Sequence, residues 1–288
     1  MIEITQEWVD DVIPPRSPEA DKNTFGRIAC ICGATGYTGA AYFSAQGAVR
    51  MGSGIVTLAV PQTAWSTLAV KLNAPVVRPF PCTEDGFFSL DALPQLLTLA
   101  ERADALLIGC GLGRSPELTK LVCTLLESVK TQIVLDADGI NAIIQHKNIL
   151  QKTARPVVLT PHAREFSRLS GIKTASPAQI TTFARENHCI LLYKQHRSLI
   201  AAPDGRIYRN HSGNPGMAKG GAGDILAGML VSLCGQAVEP VKAACAAAYL
   251  HGRAGDFAAN RYGEYSMTPD DLLSCLPDVL KRYNTREW

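Results

Sequence analysis

The chain has 288 residues, 47% of them hydrophobic and 19% charged, and a net charge of +2. That balance excludes a disordered segment and offers no clustered basic field for nucleic acid or an anionic membrane, so the expected partners are small molecules. The apolar runs, Ile225–Leu233 among them, stop well short of the roughly 20 residues of a membrane span, the N-terminal stretch Met1-Ile-Glu-Ile-Thr-Gln-Glu-Trp8 lacks a signal-peptide core, and nine cysteines without a Cys-x-x-Cys pair read as reduced thiols of a cytoplasmic protein.

In chain order, the first β-branched run is Arg27–Cys32, followed by a predicted helix over 39–51 and a strand over Gly54–Val60. Strands are then predicted at Ala105–Gly109, Gln132–Asp136, Pro156–Thr160 and Cys189–Tyr193, with helices at 116–130, 139–146, 163–170 and 177–187. Pro116 and Pro177 stand where a first helical turn tolerates proline. Ser198–Ala202 and Arg206–Tyr208 flank Pro203-Asp204-Gly205, whose turn chemistry predicts a hairpin. Helix returns from Ile225, over Pro240–Arg253 and over Asp270–Lys281. Repeated strand–helix order without a linker predicts one α/β domain over 1–288, built on a mostly parallel sheet with helices on both faces. Ligands of such sheets bind at the carboxyl ends of the strands.

Two glycine-rich segments follow predicted strands or open predicted helices. Gly33-Ala-Thr-Gly36-Tyr-Thr-Gly39 has a dinucleotide-fold flavour, but the next strand ends Leu58-Ala-Val-Pro61 without the acid or base that would hold an adenosine ribose. Taken alone, its glycines are equally explained by a tight turn and close helix packing. Gly213-Asn-Pro-Gly-Met-Ala-Lys-Gly-Gly-Ala-Gly-Asp224 runs straight into an apolar helix and is more informative. Glycines at 220, 221 and 223 clear the front of a helix N-terminus, so that backbone amides can meet a phosphate, and Lys219 lies inside the run. A carboxylate beside an anion site makes chemical sense when it takes a proton from a hydroxyl that is being phosphorylated. A simple Asp helix cap is the plainer alternative.

Asn214 to Gly228 resembles the signature of the ADP/ATP-dependent NAD(P)H-hydrate dehydratases of the ribokinase-like superfamily. Further blocks are similar and stand in family order: residues 39–58, Gly109-Cys-Gly-Leu-Gly113, Leu135-Asp-Ala-Asp-Gly-Ile-Asn141, Leu159-Thr-Pro-His162-Ala-Arg-Glu165 and Ala247–Asp256. Together they span roughly residues 22–280. The resemblance implies a ribokinase-like fold and a lyase that restores NADH and NADPH from their (6S)-hydrates (NADHX and NADPHX). ADP or ATP would be consumed to AMP or ADP with release of phosphate.

By the same resemblance, Asp224 activates the ring hydroxyl, Ala41, Gly113 and His162 contact the hydrate, and Gly223 with Lys194, Gln195, His196, Arg197 and Ser198 hold the nucleotide. Gln195 stands where the family has a glycine, which predicts an altered path for that loop, and Arg164 replaces another family glycine. Glu165 matches an acid that supports Mg2+ through water, while Asp136, Asp138 and Asn141 suit either metal support or turn stabilisation. The family's homotetramer is carried over as an expectation. Two other classes share parts of the pattern: a vitamin-precursor kinase using the same Asp224 chemistry, and a non-catalytic nucleotide-binding regulator on the same fold.

Overall fold

In the computed structural model, which describes residues 1–283, the β-branched runs that lack a polar face become strands covered on both sides. The chain opens with β1 (Ile2–Glu3), α1 (Gln6–Asp10), β2 (Arg27–Ile31), α2 (Thr38–Arg50), β3 (Ile55–Pro61), α3 (Gln62–Lys71), β4 (Val76–Phe80) and α4 (Leu93–Glu101). The alternation continues through β5 (Ala105–Ile108), α5 (Pro116–Ser128), β6 (Gln132–Leu135), α6 (Asp138–Ala142), β7 (Val158–Leu159), α7 (Ala163–Ser170), α8 (Pro177–Glu186) and β8 (Ile190–Tyr193). The hairpin β9 (Leu199–Ala201) and β10 (Ile207–Arg209) then leads to α9 (Ala222–Gly235), α10 (Pro240–Tyr262) and α11 (Pro269–Leu280).

All ten strands join one sheet in the order β1-β10-β9-β8-β7-β6-β5-β2-β3-β4. Only β9 runs antiparallel to its neighbours β8 and β10; the other pairs are parallel. Every residue of β5, β6, β7, β8 and β9 is buried. One face packs on α2, α9, α10 and α11, the other on α4, α5, α7 and α8. This is a ribokinase-like α/β arrangement.

The predicted strands appear within about two residues of their expected ends, as do the helices over 39–51, 116–130, 163–170 and 177–187. The helix expected over 139–146 instead stops at Ala142 and gives way to a 3-10 stretch, Ile144–Lys152, kinked at His146. Helices α9 and α10 exceed expectation: α9 starts at Ala222, ahead of Ile225, and α10 continues to Tyr262. Elements α3, β4 and α4 were not foreseen. No side chain caps α3 or α4, and β4 is an edge strand that is mostly solvent-facing and contains Pro79, so neither burial nor alternation marks it.

Helix α9 is held against α2 by backbone contact. A Cβ at Gly47 would lie 2.5 Å from the Ile225 carbonyl oxygen, and one at Gly228 would lie 2.0 Å from that of Ser44. Only glycine permits this approach. Its consequence is positional: the N-terminus of α9 is fixed at the carboxyl ends of the central strands.

Candidate active site

The site is built around the start of α9. Gly221 is its N-cap, with φ at 105°, a backbone state glycine adopts freely. No side chain caps this end, so Asp224, the third helical residue, is not engaged as a cap. First-turn amides have no partner inside a helix; here that of Ala222 is taken by the Lys219 carbonyl at 3.3 Å, while Gly223 lines an open cleft. The carbonyl of Ala222 is tied back to α10 by the buried His251, whose Nε2 lies 2.8 Å away. Burial pushes the pKa of His251 down to about 4, so its ring is neutral and donates to that carbonyl.

Asp224 does not stand alone. A carboxylate oxygen of Asp224, one of Asp136 and the sulfur of Cys110 all lie within 4.8 Å of one another. Asp136 follows β6, is buried, and pairs with Lys194 at the end of β8, with Nζ 2.8 Å from Oδ1. The Cys110 thiol donates to Asp136 Oδ2 at 3.8 Å. A Cβ on Gly223 would come within 3.4 Å of Lys194 Nζ, so the ammonium sits beside the glycine turn. Burial raises the pKa of Asp224 to about 7, the charge of Asp136 adds to the rise, and the Cys110 thiol and Lys194 partly oppose it. Burial acts to lower the pKa of Lys194, but Asp136 and Glu165 outweigh it and the net shift is upward, so the lysine stays cationic.

On one side of Asp224 lies a cleft of about 760 Å³ between the β8–β9 turn, the 210–219 segment and helices α9 and α10. Lys194, Gln195, His196, Arg197 and Ser198 all line it, as does Gly223. The turn closes with Gln195 where the resemblance led to a glycine being expected: Ser198 Oγ donates to the Gln195 carbonyl at 3.1 Å, and the positive φ falls on Arg197, at 59°. Lys219 does not aim at the cleft centre. Its ammonium donates to the carbonyls of Tyr265 (2.7 Å) and Met267, so the cation next to Asp224 is Lys194. Asp256 of α10 steadies the approach by accepting from Gly213 N and Asn214 Nδ2.

On the other side, the 33–39 and 109–113 loops pack together through the Gly33 N–H, which donates to the Cys110 carbonyl at 2.8 Å. Gly113 lies here; its N–H donates to Asp138 at 3.0 Å, and a Cβ would meet the Phe87 ring at 2.3 Å. Ala41 is wholly buried beneath Gly33, so it can shape this wall only from behind. His162 sits between the two halves and lines the cleft. It also caps α7: Nδ1 accepts from the amides of Arg164 and Glu165, while Glu165 accepts from His162 N at 2.9 Å. Burial lowers the His162 pKa. Asp138 and Asn141 bond to each other, to Gly113 N–H and to Arg114 and Arg168, which is turn stabilisation, whereas Asp136 belongs to the Asp224 cluster.

Mg2+ takes oxygen ligands, but the converging group includes a thiol, and an ammonium already sits on Asp136. Glu165 has one carboxylate oxygen on His162 N and the other 3.5 Å from its ring. The residues therefore suit a metal that arrives on nucleotide phosphates and touches protein through water, not a protein-only cage. The buried Thr160 hydroxyl, at the end of β7, has no hydrogen-bond partner among the described residues.

A glycine-cleared helix start beside a buried carboxylate, at the strand ends of this sheet, is the arrangement of the ribokinase-like class. The model of the NAD(P)H-hydrate dehydratase family matches residues 28–278. The chain is 40% identical over 283 residues to a bifunctional NAD(P)H-hydrate repair enzyme of Moorella thermoacetica, covering 96% of this chain and 53% of that protein. It is 35% identical to an ADP-dependent (S)-NAD(P)H-hydrate dehydratase of Neisseria meningitidis, covering 85% and 81%. The crystal structure of an ADP/ATP-dependent NAD(P)H-hydrate dehydratase from Bacillus subtilis, co-crystallised with ATP and Mg2+, superposes with a TM-score of 0.86 at 27% identity over 98% of this chain and 99% of that one. The chain belongs to the NAD(P)H-hydrate dehydratase family. It spans about half the length of the bifunctional relatives it matches. Among the described residues no helix is long and apolar enough to cross a membrane.

Proposed function

We propose that this chain dehydrates the hydrates of NADH and NADPH, using ADP or ATP to phosphorylate the ring hydroxyl before elimination. The supporting observation is the position of Asp224: buried, with its pKa raised to about 7, one residue on from Gly223 at a nucleotide-sized cleft and beside Cys110 of the 109–113 loop. The nucleotide would lie in the cleft over Lys194–Ser198, with its terminal phosphate on the amides around Gly223 and against Lys194. The hydrate would lie against the 33–39 and 109–113 loops, near Gly113 and His162, above Ala41.

In that arrangement Asp224 takes the proton of the ring hydroxyl as the oxygen attacks the terminal phosphorus. The α9 amides and Lys194 stabilise the charge on the transferred oxygens. The P–O bond to AMP or ADP breaks, and a poor leaving group becomes a phosphate ester. Departure of phosphate with loss of the neighbouring ring proton then restores the dihydropyridine. Mg2+ bound to the nucleotide phosphates would neutralise part of their charge, and Glu165 would hold its waters.

The same reading takes residues 1–288 as one ribokinase-like unit, cytoplasmic and homotetrameric, which sedimentation of the purified chain would check. For the activity, purified protein is given NADH hydrate with ADP or ATP and magnesium, and nicotinamide absorbance and free phosphate are followed together. Both should rise only when hydrate and nucleotide are present. Release of neither, with nucleotide still bound, would favour the non-catalytic regulator.

A further inference from the structure

We infer that Cys110 is a positioning residue for the phosphoryl-transfer base: its thiol, set between Asp136 and Asp224, is the donor that allows two neighbouring carboxylates to be ionised side by side. The inference deepens the proposed function and rests on Asp224 being the base.

The geometry carries it. Cys110 follows β5 in the 109–113 loop, is fully buried, and touches the pair of acids from below, with Sγ 3.8 Å from Asp136 Oδ2 and within 4.8 Å of the Asp224 carboxylate. Its backbone is pinned as well, since its carbonyl accepts from Gly33 N–H. A hydrogen bond with Cys32, then burial, hold the thiol pKa well above its usual range, so the group is a neutral S–H, able to donate but carrying no charge. The other groups facing Asp224 are Asp136 from the end of β6, Asp138 from the first turn of α6 and Lys194 from the end of β8. From α10 the nearest titratable group is His251, neutral and bonded to Ala222. Lys194 is already bound to Asp136, and both aspartates oppose ionisation of Asp224. The thiol is therefore a neutral donor whose single proton can turn from Asp136, which keeps Lys194, to Asp224 as Asp224 ionises.

The test is the pH dependence of turnover for the full-length chain with saturating nucleotide, magnesium and NADH hydrate. Cys110→Ala should move the acidic limb upward by about one pH unit, so that turnover near pH 6.5 falls roughly fivefold to tenfold while the alkaline plateau stays within about twofold. Cys110→Ser, which keeps a donor, should bring the limb back to its wild-type position. An unmoved limb in Cys110→Ala, or a uniform loss of rate at every pH, would overturn the inference while leaving the assigned activity intact. A second readout does not depend on turnover or on the alanine variant folding. The Cys110 S–H infrared band, identified by its loss in Cys110→Ser, should shift with the titration of Asp224 and should cease to shift in Asp224→Asn. A band indifferent to that titration would contradict the assignment even if the enzyme reading held, and a chain that makes no NADH would sink the enzyme reading by itself.

Discussion

On the side of Asp224 lined by Lys194–Ser198 and the 210–219 segment, the wall is made of side chains around an open cleft of about 760 Å³. On the side of the 33–39 and 109–113 loops it is made of backbone: a Cβ at Gly111 would meet those of Ala40 at 2.8 Å and Tyr37 at 2.9 Å, and one at Gly113 would enter the Phe87 ring. The open side has room for change: the turn at Gln195 is closed by Ser198, and its positive φ falls on Arg197. On the other side the slack is uneven: a Cβ has no room at Gly111 or Gly113, whereas one at Gly36 or Gly39 would meet nothing within 4 Å. Substitutions in the cleft should therefore tune nucleotide affinity, those in the recess should damage hydrate recognition, and those between the two should stop the chemistry.

The largest expected effect is at the junction. Asp224→Asn removes the base but leaves the amides and should lower kcat by about 10²–10⁴ with nucleotide binding retained, read by single-turnover kinetics and calorimetry. The same change carries a stability signature. A carboxyl whose folded pKa is raised contributes stability at low pH that is lost as pH rises through about 7, so Asp224→Asn should melt above wild type at pH 8 and not at pH 4. Below about pH 7 the wild-type rate should fall as Asp224 takes up a proton.

Lys194→Met comes next. It strands the buried Asp136 beside Asp224 and should cost roughly 3 kcal/mol in denaturant melts while moving the acidic limb of turnover upward. Gly113→Ala tests the recess: with φ at 81° and the Phe87 ring in the way, it should raise KM for the hydrate about tenfold with little change in KM for nucleotide. A rise confined to the nucleotide KM would reverse the assignment of the two sides. The smallest effect is expected for Gln195→Gly, which should alter nucleotide KM by no more than about threefold, because the turn is already closed by Ser198.

Much of this plan was legible before any coordinates. The parallel strands are long apolar runs between turn residues, and Gly220-Gly-Ala-Gly-Asp224 marks a helix start by its lack of side chains. What stayed hidden depends on partners distant in sequence. Lys194 and Asp136 are 58 residues apart, and nothing local to either says that they form an ion pair under Asp224. Lys219 lies in the glycine run, yet its stem carries the ammonium to carbonyls 46 and 48 residues onward. Cys110 sat inside a quoted block without a role, since an apolar-looking cysteine gives no signal until two carboxylates are placed beside it. The segment from 62 to 101 was missed for different reasons: β4 is an exposed edge strand holding a proline and α3 buries only Ala64 and Leu68, whereas α4 carries a helical apolar stripe that was legible and passed over.

The most direct test of the central claim follows the phosphate. Wild-type protein is supplied with NADH hydrate and nucleotide labelled on its terminal phosphate, and the products are separated after one turnover. The account expects the label in inorganic phosphate, with one NADH formed for each nucleotide consumed. Label held in a stable organic phosphate, or phosphate released without matching NADH, would contradict it.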